Sequence, residues 1–308
     1  MKQQIKSSLI LLLTATIWGV AFVAQSVGME YIGPFTFNAI RCVLGGLVLI
    51  PVILVLKKKK ETGAENQEKE DKKTLWAGGI ACGVILCIAS NLQQFGIMEA
   101  SVGKSGFFTA LYIVMIPVIG IFIGKRPGIK LWFCVALAVV GMYLLCMKDG
   151  SFTIERADIM LLLCALAFSF HILVVDYFSP KVDGVKMSCI QFFVCGVLSA
   201  VGMLFTETPD ISNIQAAWLP LLYAGLLSCG VGYTLQIVGQ KGINPVIASL
   251  IMSLESVISA LAGWVILGQG LSPKEIRLRI DVCGNYYHAD SHRKQENRLI
   301  LRIVSAIL

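Results

Sequence analysis

The chain alternates between long apolar runs and short polar gaps. Runs bounded by Gly, Pro or charged residues predict nine helices, near residues 7–27, 34–56, 75–97, 104–123, 131–147, 157–177, 186–205, 216–237 and 244–267. A membrane-spanning helix needs about 20 predominantly apolar residues, and most of these runs reach that length. The pattern therefore predicts an all-α integral membrane protein.

The pattern changes after Gly268. Residues 276–297 carry Arg, Asp, His, Lys and Glu at intervals that a membrane helix does not tolerate, and the apolar run 299–308 is too short to span. Back-translation of residues 280–290 with ordinary codons allows an apolar second reading frame. We therefore expect a polar tail that arose by a frameshift, in place of a tenth helix. Sequencing the gene around codons 276–280 tests this origin.

Composition agrees with the membrane prediction. Of the 308 residues, 56% are hydrophobic and 15% are charged, whereas a globular chain has about 45–50% apolar and about 25% charged residues. The formal net charge of +7 does not indicate a nucleic-acid partner, because the basic residues lie in gaps between apolar runs instead of clustering on a polar face. A water-soluble fold is excluded.

The basic residues instead predict an orientation. With the N-terminus inside, the inner segments hold fifteen Lys and Arg residues and the outer loops hold four. Cytoplasmic loops are enriched in these residues. We therefore expect a multi-pass protein of the cell membrane with a cytoplasmic N-terminus. The polar run 57–73 should be a solvated, disordered cytoplasmic link, and its lysines could also attract lipid headgroups.

An internal symmetry is visible when residues 11–46 are laid over residues 161–196. Leu11 then pairs with Leu161, and Gly46 with Gly196. A first unit of five helices has an odd number of spans, so a second copy must begin on the opposite side of the membrane. Inverted repeats are a recurrent construction of secondary transporters, with the substrate site near the midplane. We divide the chain into a first repeat, 1–150, a second repeat, 151–275, and an aberrant tail, 276–308.

Four segments resemble a known family. They are residues 18–22 (WGVAF), 34–41 (PFTFNAIR), 253–257 (SLESV) and 267–273 (LGQGLSP). In order and spacing they are similar to EamA-type members of the drug/metabolite transporter superfamily, over roughly residues 5–276. The resemblance implies two inverted five-helix repeats and export or exchange of small polar metabolites, often amino acids, by alternating access through a central cavity. The missing tenth helix departs from that pattern and leaves nine spans.

Charged residues inside apolar helices are the first candidates for the cavity wall, because they usually face the bundle interior, a partner or water. Arg41 and Glu255 lie at similar predicted depths in the membrane, so we expect them to form a pair. The alternative is that each anchors its own helix through local hydrogen bonds.

Polar and aromatic residues on the predicted helices complete the candidate set. Asn and Gln in apolar helices also serve as interhelical hydrogen-bond partners, and His171 is either a proton relay or a neutral core residue. Gly79 and Gly83 have the spacing that lets two helices approach closely. The other cavity candidates are Trp18, Asn38, Asn91, Gln94, Thr109, Tyr112, His171, Gln191, Tyr233 and Gln236.

Enzyme readings have no residues to support them. The chain has no H-E-x-x-H, no G-x-S-x-G and no Walker A loop, and its ten scattered cysteines form no metal-binding or disulfide framework. We expect no catalytic residues, no metal and no cofactor. The expected partners are a small-molecule substrate and the lipid bilayer, and a homodimer is left open. The alternative function is a non-transporting membrane scaffold or an inactive truncated relic of a transporter.

Overall fold

A computed structural model describes residues 2–62, 71–124, 128–146 and 155–269. Within these ranges the chain is helical and contains no strand, which confirms the all-α class. A short helix, Ile211–Ala216, precedes the eighth long one. The long helices, labelled α1 to α9 in chain order, are Lys2–Gly28, Pro34–Thr62, Lys72–Ile97, Val102–Phe122, Ile129–Cys146, Arg156–Phe178, Gly184–Thr206, Trp218–Gln240 and Pro245–Leu267.

Eight helices in the described part of the chain are long and apolar enough to cross a membrane, namely all of these except α5. The helix α5 forms where the sequence predicts it, and its span stays a prediction. Large apolar side chains such as Leu54, Val55 and Leu204 lie on the outer surface of the bundle. This surface suits a lipid environment, since a helix satisfies its own backbone hydrogen bonds there. The predicted polar tail, 276–308, lies outside the described residues.

The boundaries of the polar link at 57–73 differ from the prediction. Helix α2 continues to Thr62 and α3 already begins at Lys72, while residues 63–70 lie outside the described part. Lys and Glu are good helix formers, so a helix can continue beyond its last apolar turn. Asp71 caps α3 by accepting hydrogen bonds from the Thr74 hydroxyl and the Lys73 amide. The Thr74 hydrogen bond holds the pKa of Asp71 below its usual value.

Helices of the first half pack mainly against helices of the second. Exchanging α1 with α6, α2 with α7, α3 with α8 and α4 with α9 turns each of these contacts into another observed contact: α3–α6 becomes α8–α1, α3–α7 becomes α8–α2, and α4–α6 becomes α9–α1. Contacts α2–α7 and α4–α9 map onto themselves. This is the contact pattern expected of two inverted repeats. The exact repeat boundaries stay a prediction.

The crossing of α2 and α7 shows the same symmetry at atomic scale. A Cβ atom on Gly46 would lie 3.0 Å from the Phe193 ring, and one on Gly196 would lie 3.1 Å from Val43 Cγ2. Each glycine therefore receives the side chain three positions before the other glycine. The two helices approach closely because both positions lack a side chain.

Close packing of α3 on α7 uses the predicted small-residue spacing. A Cβ on Gly79 would lie 2.6 Å from Ile190 Cβ, and a Cβ on Gly83 would lie 2.6 Å from Val194 Cβ. Both pairs are four residues apart, so a ridge of α7 fits a groove of α3. The prediction of a helix-packing role for Gly79 and Gly83 is confirmed.

Three helices are irregular near their middle. Helix α4 is interrupted at Leu111 and α9 at Ser253, and α8 is π-helical over Tyr223–Tyr233. Four serines of α9 donate hydrogen bonds of 2.7–2.9 Å to the carbonyl three residues earlier; they are Ser249, Ser253, Ser256 and Ser259. Such local hydrogen bonds compete with the helical ladder and bend helices, and π-segments are frequent at functional sites.

Candidate functional site

A buried cavity of about 30 Å³ lies between the two halves, next to all three irregular segments. In this conformation it has room for about two water molecules. Its wall combines apolar, aromatic, amide and charged side chains from both halves. The lining residues are Trp18, Ala21, Phe22, Gln25, Arg41, Gln93, Thr109, Tyr112, Phe168, Ile172, Ser228, Tyr233, Gln236 and Glu255.

Arg41 of α2 is the buried cation of this cavity. Its Nη1 donates a hydrogen bond of 2.8 Å to Gln25 Oε1 on α1, and its guanidinium carbon lies 5.6 Å from the centre of the Phe37 ring. Its Nε finds no hydrogen-bond acceptor among the described residues. A buried donor without a partner is unusual in a folded protein. Arg41 therefore has capacity left to bind an anionic group.

Glu255 of α9 is the buried anion of the same cavity. It lies in the first turn after the interruption at Ser253 and accepts a hydrogen bond of 3.0 Å from Tyr112 Oη on α4. The side chain is 4% exposed. The first turn of a helix segment favours a negative charge, because its backbone N–H groups point toward it.

The predicted ion pair between Arg41 and Glu255 is wrong. Their charged groups are not within 4.0 Å of each other, since the ion pairs found for the described residues do not include them. Gln25 and Tyr112 are their partners instead. Helical rise places both residues at one depth, as predicted, but it does not fix the rotation of either helix. The charges therefore share a cavity without neutralising each other.

An aromatic wall closes one side of the cavity. The ring centres of Trp18 and Tyr233 are 4.6 Å apart. Trp18 Nε1 donates a hydrogen bond of 3.4 Å to the Ser228 carbonyl, and Tyr223 Oη donates one of 3.1 Å to the Ile17 carbonyl. These bonds join α1 to the π-helical part of α8, where the helix geometry differs from an α-helix.

Two glutamines occupy matching places in the two halves. Gln93 of α3 lies eight residues before the N-cap of α4, Ser101, and Gln236 of α8 lies eight residues before the N-cap of α9, Asn244. Gln93 Nε2 donates to Thr109 Oγ1 at 3.4 Å, whereas Gln236 Oε1 has no donor among the described residues. Gln236 therefore offers a second open hydrogen-bonding position.

The structure brings together part of the predicted set. Trp18, Arg41, Thr109, Tyr112, Tyr233, Gln236 and Glu255 line the cavity. Five other candidates are buried but are not among the lining residues: Asn38, Asn91, Gln94, His171 and Gln191. The substrate role of the lining residues stays a prediction.

Most of the residues outside the cavity bond to other helices. Asn38 Nδ2 donates to Asn91 Oδ1 at 2.9 Å, and Asn91 Nδ2 donates to Ser199 Oγ at 3.1 Å, which links α2, α3 and α7. His171 Nε2 lies 3.1 Å from Gln191 Oε1, which links α6 and α7. These contacts fit the alternative interpretation, interhelical hydrogen bonding.

Sequence reasoning missed several lining residues, above all Gln25 and Gln93. A helical face could have revealed Gln25, because Trp18, Phe22 and Gln25 follow one another at the spacing of one side of α1. No comparable signal separates Gln93 from Gln94, since both are buried amides on the same turn of α3.

Comparisons with known proteins agree with this architecture. A profile of the EamA-like transporter family matches residues 5–147 and again residues 155–278. A protein of Archaeoglobus fulgidus named "Uncharacterized transporter" is 27% identical over 264 residues, covering 85% of this chain and 79% of that protein. Uncharacterized transporter YwfM of Bacillus subtilis is 24% identical over 306 residues, covering 94% and 95%. These matches point to a transporter rather than an enzyme.

A solved crystal structure has the same fold. It aligns with a TM-score of 0.70 over 98% of this chain and 96% of its own, at 16% sequence identity. At this identity the likeness concerns the fold alone.

Proposed function

Because the chain belongs to the EamA-like transporter family, we propose that it carries small polar metabolites, with amino acids as the main candidates, by alternating access through the central cavity. The observation that supports this proposal is the placement of Arg41 and Glu255. They are a buried cation and a buried anion that line one cavity without forming an ion pair.

A zwitterion complements this arrangement. Arg41 would bind a carboxylate through its free Nε, because charge-assisted hydrogen bonds of arginine to carboxylates are strong. Glu255 would accept hydrogen bonds from an ammonium group. A buried charge is costly unless it is paired. A substrate that supplies both opposite charges therefore satisfies both residues at once.

Alternating access requires the two halves to separate on one side at a time. Ligand pockets usually measure about 300–1,000 Å³, so the cavity of about 30 Å³ must open before a metabolite can enter. Two contacts between the halves close one end of the bundle. Glu207 accepts hydrogen bonds of 2.9 and 2.8 Å from the Phe35 and Thr36 amides, and Lys104 Nζ lies 2.7 Å from Glu155. We assign these contacts to a closed gate.

The orientation of the proposed transporter follows from its basic residues. A cytoplasmic N-terminus in the cell membrane places the gate at Glu207 on the outer side and the lysines near residue 57 on the inner side. An inner-side opening would load substrate from the cytoplasm. We therefore propose export or exchange as the direction of transport.

Purified protein in liposomes tests the proposal. We expect saturable counterflow of at least one member of a panel of radiolabelled amino acids, compared with empty liposomes. The matching decarboxylated amine and deaminated acid should each compete about tenfold or more weakly, because each loses a charge-assisted hydrogen bond worth about 1.5–3 kcal/mol. Absence of saturable flux for the whole panel would contradict the proposal and favour a non-transporting scaffold.

A further inference from the structure

Glu255 is held by a neutral partner. Its Oε1 accepts the hydrogen bond from Tyr112 Oη, and no Lys or Arg nitrogen of the described residues lies within 4.0 Å of its carboxylate. The side chain is buried in the middle of the bundle, next to a helix interruption and a cavity. A carboxylate in such surroundings is stable when it binds either a proton or a cation.

The ionisable groups around Glu255 come from several helices. Helix α4 contributes Tyr112, α2 contributes Arg41, α8 contributes Tyr233, and α6 contributes Cys164, which interacts electrostatically with both charged residues. Helix α1 contributes the neutral side chains of Trp18 and Gln25, and Tyr143 of α5 packs on Phe107 instead. His171 of α6 bonds to Gln191 and does not line the cavity. Glu255 is therefore the acidic group of this set.

We propose that Glu255 couples transport to protons by binding a proton in one part of the cycle and the ammonium group of the substrate in the other. This inference rests on the proposed transport of zwitterions. The two ligands exclude each other, because one carboxylate neutralised by a proton no longer attracts an ammonium group. An empty, charged carboxylate is the costly state, so the halves exchange sides when either ligand is bound. The protein is then a proton/substrate antiporter.

The proton balance follows from this exclusion. Substrate binding converts the carboxylic acid of Glu255 to a carboxylate and releases its proton to water on the side that is open. Return of the empty site takes up a proton on the other side. One proton moves against each net-neutral zwitterion, so each cycle transfers one positive charge. Arg41 keeps its charge throughout and binds the substrate carboxylate.

Two transport modes separate coupling from transport itself. Proteoliposomes should be assayed with a mixture of radiolabelled amino acids, once as counterflow without a pH gradient and once as accumulation driven by a pH gradient. Wild-type protein should show both. Glu255→Gln keeps a hydrogen-bonding side chain but has no titratable proton, so it should retain counterflow at saturating substrate and lose gradient-driven accumulation. Leu47→Ala on the lipid-facing side of α2 is the matched control, with both modes intact.

The outcomes distinguish the two proposals. Wild-type counterflow with no response to the pH gradient overturns the coupling and leaves transport standing, whereas no counterflow in wild type overturns both. Accumulation by Glu255→Gln that follows the gradient as in wild type overturns the role of Glu255. A measurement on wild-type protein alone covers the case of a variant that does not fold: addition of the amino-acid mixture in weak buffer should release protons, and no release would overturn the inference.

Discussion

Buried polar side chains of this protein fall into two groups according to what they bond. Asn38, Asn91, His171 and Gln191 bond to polar groups on neighbouring helices, whereas Arg41 keeps a free donor at the cavity. Residue type alone predicts burial, because an amide or a charge inside an apolar helix avoids lipid. The partner could not be predicted, since it depends on how each helix is rotated within the bundle.

Replacing Asn38 by Ala should lower stability without stopping transport. The change removes the hydrogen bond to Asn91, and interhelical hydrogen bonds in membrane proteins are worth about 0.6 kcal/mol on average and about 1.7 kcal/mol at most. Thermal unfolding in detergent and counterflow per folded molecule measure the two effects. A complete loss of counterflow with unchanged stability would place Asn38 in the transport path instead.

Glu207 gives a second prediction at this scale. It caps α2 from α7 through the Phe35 and Thr36 amides, and loss of a helix cap costs about 0.5–2 kcal/mol. Glu207→Ala should therefore lower the unfolding temperature. Glu99→Ala, which removes an exposed carboxylate at the same end of the bundle, is the control and should have little effect. Equal effects of both changes would argue against the cap.

Whole helices were predictable to a greater extent than their irregularities. An apolar run of about 20 residues in lipid has to be helical, since only a helix satisfies its backbone within one segment. The interruptions at Leu111 and Ser253 and the π-helical part of α8 leave the apolar run unchanged, so hydropathy does not report them. The serine hydroxyls of α9 were visible in the sequence as a repeated residue, but their backbone hydrogen bonds were not.

Packing of α3 on α7 gives a prediction for these elements. A methyl group on Gly83 would lie 2.6 Å from Val194 Cβ and 2.8 Å from the Gln191 carbonyl oxygen, so the helices must move apart. Overpacking of this kind costs about 1–3 kcal/mol. Gly83→Ala should lower the unfolding temperature, whereas Gly128→Ala, where a Cβ meets nothing within 4 Å, should not. An unchanged unfolding temperature for Gly83→Ala would contradict the close approach.

At the scale of the whole molecule, the odd number of helices per repeat was enough to predict an inverted arrangement. The contact pattern between the halves is the one that such an arrangement produces. The size of the cavity could not be predicted, because it depends on how closely the two halves approach in a given conformation. The volume of about 30 Å³ identifies a closed conformation of the proposed transport cycle.

Orientation in the membrane is a prediction for the whole chain. In a cysteine-free background, an impermeant thiol reagent added to intact cells should label Tyr31→Cys and Pro209→Cys, because these loops lie at the proposed outer end. Glu65→Cys should react only after permeabilisation. Labelling of position 65 in intact cells would reverse the proposed orientation.

The central claim is that substrate passes through the cavity and binds Arg41. Counterflow of a transported amino acid by wild-type, Arg41→Ala and Leu47→Ala protein, each reconstituted at equal amounts of folded protein, tests it most directly. Loss of a charge-assisted hydrogen bond costs about 1.5–3 kcal/mol, or about 10- to 100-fold in affinity. We expect Arg41→Ala to raise the half-saturating concentration by this factor while Leu47→Ala behaves as wild type. Saturable counterflow with the same half-saturating concentration in all three proteins would contradict the account.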